Sequence, residues 1–204
     1  MSSTDLDGMA REALLEVARS AIDHGLAHDR DLEVDATAFV RALQEPRATF
    51  VTLKRCGQLR GCVGSLEARR PLIADVAGNA YAAAFRDPRF GPLARQESLD
   101  LHISVSVLSP PEPLTCIAEA DLLRQLRPGI DGLILELGPS RGTFLPSVWE
   151  SLPEPRTFLQ QLKLKAGLPS DYWSDQVHVW RYTSEVFEEE PSPWRWGGGS
   201  RSMR

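Results

Sequence analysis

The segment LRGCVG at 59–64 brings a cation, two glycines and a thiol close together. The guanidinium of Arg60 could hold an anion through two hydrogen bonds, because its donors form a planar fork. Its charge could also favour the thiolate of Cys62, which is the nucleophilic form of a cysteine. Gly61 and Gly64 indicate a bulge or a close approach of the backbone. The structural alternative is that the glycines shape a bend, Arg60 pairs with a carboxylate and Cys62 is a small core residue.

A nucleophilic cysteine usually works with a histidine base. Of the four histidines, His102 is the best candidate, because its predicted strand alternates apolar with polar residues and the face of His102 also carries Ser104 and Ser106. Small hydroxyl side chains leave room for a ligand on a sheet face, so His102 and Ser104 are candidate binding residues. A solvated sheet face would show the same alternation. The sequence does not determine whether His102 and Cys62 meet.

Polar residues in and after the next predicted helix are the remaining candidates. Asn79 lies on the apolar face of the helix predicted over 71–86, and a buried amide must be hydrogen-bonded. It therefore braces the bend at 60–64 or contacts a ligand. The segment FRDPRFGPL at 85–93 is interpreted as a helix exit with a local ion pair or as the rim of a cleft. Its candidate binding residues are Asp87, Arg89 and Phe90.

Composition excludes several classes of protein. The chain has 204 residues, of which 42% are hydrophobic and 25% charged, and its net charge is −5. These values are typical of a globular protein, and the acidic balance argues against nucleic-acid binding. No stretch approaches the roughly 18 apolar residues of a membrane span. The N-terminal residues do not have the pattern of a signal peptide.

The cysteines do not point to a metal site. Cys56, Cys62 and Cys116 form no CxxC pair, so neither a zinc spacing nor a disulfide framework is present. The sequence has no GxxxxGK phosphate loop and no run of cysteines for an iron–sulfur cluster. We therefore expect a reduced, cytoplasmic protein with no metal and no cofactor.

Hydrophobic periodicity and turn residues predict mixed secondary structure. Gly25 is the expected end of the first helix. Helices are predicted over 9–24, 35–44, 71–86, 118–126 and 155–165, and strands over 49–53, 59–63, 101–108, 133–137, 143–145 and 177–188.

The order hairpin, helix, strand occurs over 48–108 and again over 130–188. The two hairpin turns share the spacing GxxRG, at 57–61 and at 138–142. This pattern predicts an α+β fold of two pseudo-repeated ββαβ units with mostly antiparallel sheets and an extra N-terminal helix. We expect a single domain over residues 8–190.

The last residues, 191–204, have the glycine and serine content of a disordered tail. Such a composition offers little apolar area to offset the entropy of ordering. We therefore expect the tail to be dispensable for stability. Trp194 and Trp196 are the exception to its polar character.

Five motifs in order carry a resemblance to a known family. They are LRGCVG, NAYAAAFRDPRFGPL, ISVSVLSPPEPL, GIDGLILELGPSRGTFLPSVWE and FLQQLKLKAGLPSDYW. Together, from Leu14 to Phe187, the sequence resembles the AMME syndrome candidate protein family, whose bacterial and archaeal members are called AmmeMemoRadiSam system protein A. The family's RGCIG is RGCVG here.

The resemblance implies a compact α+β fold of duplicated units and an association with Memo-like and radical SAM proteins. It also implies a functional cleft near the RGC motif. The positions that match the family motifs are Arg60, Gly61, Cys62, Gly64, Asn79, Asp87, Arg89 and Phe90.

Three functions are compatible with these sequence features. The first is an accessory protein that binds a partner or a small ligand and supports a radical SAM or Memo-like protein. The second is an enzyme that uses Cys62 as nucleophile or redox thiol, with Arg60 as anion holder. The third is a nucleic-acid-binding regulator, which the acidic charge balance disfavours.

Overall fold

The hairpin that carries the RGC motif closes through the two-residue turn Cys56-Gly57. Both residues have positive φ angles, +50° and +78°, as a type I′ turn requires. The flanking strands are each longer than predicted, Thr49–Arg55 (β1) and Gln58–Gly64 (β2). A register shift between Leu53 and Lys54 places a bulge beside Arg60.

The computed structural model describes residues 6–190, so the predicted tail at 191–204 lies outside the described residues. Within this range no helix is long and apolar enough to cross a membrane. The helices are Gly8–His28 (α1), Arg41–Gln44 (α2), Leu72–Phe85 (α3), Glu119–Gln125 (α4) and Pro155–Lys165 (α5). The strands after the first hairpin are Leu101–Leu108 (β3), Glu112–Leu114 (β4), Gly132–Leu137 (β5), Ser140–Phe144 (β6), His178–Tyr182 (β7) and Ser184–Glu188 (β8).

The described residues divide into two compact units, one of residues 6–107 with 186–190 and one of residues 108–185. We call them unit 1 and unit 2. Unit 1 holds a four-stranded sheet of order β2-β1-β3-β8, and unit 2 one of order β4-β7-β5-β6. These antiparallel sheets with their helices confirm the α+β class. The boundaries of a single domain over 8–190 stay a prediction.

Each unit has its own core. In unit 1, alternate residues of β1 and β3, such as Val51, Leu53 and Ile103, are fully buried and pack with residues of α1 and α3. In unit 2, the Trp149 ring stacks on Phe158 of α5 with centroids 3.8 Å apart. The apolar faces that the periodicity predicted are therefore the faces that meet.

Three predicted boundaries were wrong, for tertiary reasons. Gly25 does not end α1, which continues to His28; a Cβ on Gly25 would lie 2.4 Å from the Phe85 ring, so the glycine lets α3 approach. The helix predicted over 35–44 is a 3-10 turn followed by the short α2. The strand predicted over 177–188 is two strands, β7 and β8, because Thr183 between them exchanges hydrogen bonds with Ser109.

Candidate functional site

Gly61 and Gly64 are glycines because their surroundings leave no room for a side chain. A Cβ on Gly61 would lie 2.1 Å from the Ala83 carbonyl oxygen of α3. A Cβ on Gly64 would lie 2.2 Å from the Thr49 carbonyl oxygen. The close backbone approach that these glycines indicated is thus made by the protein's own helix and strand.

The main chain of Cys62 is held from the side by the loop after α3. Its amide donates to Asp87 Oδ2 at 2.8 Å, and its carbonyl accepts from Arg89 Nη2 at 3.1 Å. Arg89 also donates to both oxygens of Asp87, which is buried, and this contact holds the pKa of Asp87 well below its ordinary value. Since β2 is an edge strand, the pair satisfies backbone groups that an open edge would expose.

Arg60 pairs with a carboxylate from the same loop, while its Nη1 is buried and has no hydrogen-bond partner among the described residues. Its Nε and Nη2 donate to the two oxygens of Glu97 at 2.9 and 3.0 Å, and Nη2 also donates to the Gly91 carbonyl oxygen. The bidentate pair lowers the pKa of Glu97 to about 2 and raises that of Arg60. An anion at Arg60 would have to displace Glu97 from the two-donor edge.

Phe90 lies close to two cations of this site. Its ring lies 5.7 Å from the guanidinium carbon of Arg60 and 5.6 Å from that of Arg89. Both distances fall within the range of cation–π attraction. The segment predicted as a helix exit or as the rim of a cleft therefore contributes an aromatic ring in contact with two arginines, as well as an ion pair.

The side chain of Cys62 is half-buried on the sheet face opposite the core. Its sulfur accepts a hydrogen bond from Thr52 Oγ1 at 3.4 Å. In the sheet register Cys62 pairs with Thr52, and Thr52 pairs with Ser104. The thiol and two hydroxyls therefore form a row across three strands, with Cys62 and Ser104 about 10 Å apart at the strand spacing.

His102 lies on the same face but not beside Cys62. It pairs with Lys54, one residue pair further along β1 on that face, and its Nε2 lies 3.2 Å from Glu188 Oε2. The structure thus brings Cys62 and Ser104 into one row and leaves His102 at the edge of the face, bound to a carboxylate.

Asn79 belongs to a buried polar cluster at the start of β1. Its Nδ2 lies 2.8 Å from Thr49 Oγ1 and 2.9 Å from Asp75 Oδ2, and Thr49 Oγ1 lies 2.6 Å from the same carboxylate oxygen. Arg70 donates to the other oxygen of Asp75. The Thr49 carbonyl oxygen accepts from both Asn79 and Ser65. Asn79 therefore braces the end of the hairpin next to Gly64.

Four residues that hydrogen-bond to the predicted site residues were not predicted from the sequence: Thr52, Glu97, Asp75 and Thr49. Asp75 could have been found, because it precedes Asn79 by one helical turn on the buried face of α3. Glu97 has no such signal, since its 3-10 turn Glu97–Asp100 shows no pattern that points to Arg60. Whether the predicted residues bind a ligand stays a prediction.

Fold and site together define an α+β protein of two antiparallel sheets, with an edge RGC strand braced by the loop after its helix. The sequence model of the AMMECR1 family matches residues 15–187, and the chain belongs to this family. It is 38% identical over 183 residues to a protein of Methanothermobacter thermautotrophicus, covering 87% of this chain and 93% of that protein. Over 190 residues it is 37% identical to protein TK0174 of Thermococcus kodakarensis, covering 88% and 90%.

A solved structure shares the fold. The crystal structure of the uncharacterized protein PH0010 from Pyrococcus horikoshii matches with a TM-score of 0.76 and 36% sequence identity, over 87% of this chain and 90% of that chain. The resemblance to the AMME syndrome candidate protein family is therefore confirmed.

Proposed function

We propose that this chain is a cytoplasmic accessory protein that binds a partner or a small ligand on one sheet face and supports a radical SAM or Memo-like protein. We call this surface the Cys62 face. It comprises Phe50, Thr52, Lys54, Cys62, Gly64, His102, Ser104 and Ser106.

One observation carries the proposal: the charged groups around the RGC motif are occupied in holding the strand. Asp87 and Arg89 bind the Cys62 main chain, and Glu97 neutralises Arg60. What the strand presents on its outer face is a thiol beside hydroxyl groups. Thr52, Ser104 and Ser106 have short side chains, so little side-chain entropy would be lost when a partner binds there.

The accessory function predicts that a bulky cation on the Cys62 face blocks association. Ser104→Arg places it in the row with Thr52 and Cys62 and leaves the buried face of β3 untouched. We expect the full-length protein to co-purify with the radical SAM or the Memo-like protein of the same organism, and Ser104→Arg to lose that association at an unchanged melting temperature. Ser147→Arg, at an exposed serine of unit 2, is the matched control and should retain it.

Two results would contradict the accessory function. One is that neither partner associates with the wild-type protein. The other is that Ser104→Arg associates as well as Ser147→Arg does, which would place any binding surface elsewhere.

The second candidate is an enzyme with Cys62 as nucleophile or redox thiol. The observation in its favour is the Thr52 hydroxyl, which donates to the sulfur, as a group that stabilises a thiolate would. Cys62→Ser separates the two functions. Thr52 offers the new hydroxyl a partner, so we expect the free energy of unfolding to change by less than about 1 kcal/mol. Partner binding retained in Cys62→Ser supports the accessory function, whereas a reaction of the wild type that Cys62→Ser abolishes supports the enzyme.

A further inference from the structure

Unit 1 contains a cavity of about 1020 Å³ at the end of its sheet near the hairpin turn. The first half of α1, the turn at Cys56, the start of β3 and the end of β8 with the two residues after it form the walls of the cavity. Its apolar lining includes Leu15, Leu101 and Phe187. This volume is at the upper end of what small-molecule pockets occupy, roughly 300–1,000 Å³, and can take two large aromatic side chains.

The walls of this cavity carry an excess of acidic groups. The acidic lining residues are Glu12, Glu16, Asp100, Glu188, Glu189 and Glu190, and the basic ones apart from His102 are Arg11, Arg19 and Lys54. Arg19 is committed to Glu189, with Nε 3.0 Å from Oε1, and also donates to the Leu101 carbonyl oxygen. Glu188 lies beside His102 and Asp100 beside Arg55, so Glu12, Glu16 and Glu190 are the lining carboxylates that most favour a cationic occupant.

A segment with the complementary chemistry begins at the wall of the cavity. Residues 191–204, PSPWRWGGGSRSMR, contain three arginines, no acidic residue and two tryptophans. They follow Glu190 directly, and Glu190 lines the cavity. Trp194 and Trp196 are therefore only a few residues from it along the chain.

We propose that the C-terminal segment of this chain docks in the cavity, with Trp194 and Trp196 as apolar anchors and its arginines facing the acidic walls. A tryptophan buries 150–250 Å² when it packs, and a short tether makes docking an intramolecular event at high effective concentration. Composition predicted a dispensable tail because it does not reveal whether the folded chain has a surface on which the tryptophans can pack. The cavity provides such a surface. The cavity shares Lys54 and His102 with the edge of the Cys62 face but not Thr52, Cys62 or Ser104, so the docking test and the Ser104→Arg association test report on different residues.

Tryptophan emission tests the docking on the full-length protein. The other tryptophans, Trp149, Trp173 and Trp180, all lie in unit 2, so subtracting the spectrum of Trp194→Ala/Trp196→Ala isolates the tail signal. We expect that signal to lie at shorter wavelength than free tryptophan in water and to be quenched by acrylamide several-fold less. The double variant should also melt at a lower temperature than the wild type.

Charge reversal on α1 shows whether the cavity is the docking site. Glu12 and Glu16 are exposed residues of its wall, so Glu12→Lys and Glu16→Lys should raise the acrylamide quenching of the tail signal toward the free value. Asp23→Lys, at an exposed residue of the same helix outside the cavity, is the matched control and should leave it unchanged.

Three outcomes would overturn the proposal. A water-like, freely quenched tail signal in the wild type would show that the tail does not dock. Protection that neither Glu12→Lys nor Glu16→Lys reduces would place the docking site elsewhere. Protection that disappears on dilution would show docking on a second copy of the chain.

Discussion

At the scale of single residues, the main chain of Cys62 makes stronger contacts than its thiol does. Asp87 and Arg89 hold its amide and carbonyl, while its sulfur receives one hydrogen bond from Thr52. Arg60, which the sequence offered as an anion holder, is the partner of Glu97. The RGC motif is therefore part of an edge strand that the loop after α3 holds in place. Binding of a partner or ligand at Cys62 would depend on these contacts.

The Arg60–Glu97 pair predicts a specific acid sensitivity. The folded-state pKa of Glu97 is about 2, below the ordinary 4.5, so the carboxylate contributes stability above pH 4.5 that is lost as the pH falls toward 2. In Glu97→Gln we expect the free energy of unfolding to be lower at pH 7 by about 1 kcal/mol, given solvent screening. The slope of that free energy between pH 4.5 and 2 should also be shallower.

Denaturant unfolding across this pH range measures both effects. The control is Glu45→Gln, which removes an exposed pair with Arg41 at 3.5 Å and should change neither stability nor slope. A Glu97→Gln protein with the wild-type pH profile would show that the pair contributes nothing to folding.

At the scale of elements, each hairpin is pressed against the end of the following helix through a glycine. Gly61 of β2 faces Ala83 near the end of α3, and Gly142 of β6 faces Ala166 at the end of α5. These are the final glycines of the two GxxRG segments. The repeated motif therefore marks the same packing contact in both units.

Gly61→Ala should be strongly destabilising, because its Cβ would lie 2.1 Å from the Ala83 carbonyl oxygen and only backbone movement can relieve the clash. We expect a loss of about 2–4 kcal/mol in the free energy of unfolding. Gly142→Ala should cost less, since its nearest contacts are 2.9 Å away. Gly91→Ala has no atom within 4 Å of the new Cβ and should stay within about 0.5 kcal/mol of wild type. Equal stabilities for Gly61→Ala and Gly91→Ala would refute the packing argument.

At the scale of the whole molecule, the two units show the same strand pattern. In each, the first hairpin strand is central, flanked by its hairpin partner and by the strand after the helix, so that β2-β1-β3 corresponds to β6-β5-β7. The short β4 and the late β8 complete the two sheets in equivalent places. We propose that an internal duplication produced this correspondence.

Unit 2 is formed by one continuous segment of the chain, whereas unit 1 is formed by two separate segments. This difference predicts the stability of fragments of the chain. Residues 108–185 are continuous and contain the whole sheet and core of unit 2, so this segment alone should unfold cooperatively, with a stability of about 3–5 kcal/mol as for other small cores. Residues 1–107 lack Phe187, which packs on the core of unit 1, and should be less stable than a chain joining 1–107 to 186–204 through a flexible linker. Circular dichroism during denaturation measures all three. A non-cooperative 108–185 segment would contradict the prediction.

The sequence by itself determined the α+β class, the hairpin–helix–strand order and the family, because periodicity, turn residues and motifs are local properties of the chain. It also identified Arg60, Cys62, Asp87 and Arg89 among the candidate site residues. Tertiary structure alone decided what they contact: Arg60 forms an ion pair with Glu97, and the Cys62 amide donates a hydrogen bond to Asp87. It also decided that Gly25 stays helical and that the last predicted strand divides between two sheets. These outcomes depend on contacts between residues far apart in sequence, where packing and hydrogen-bond satisfaction override local preference.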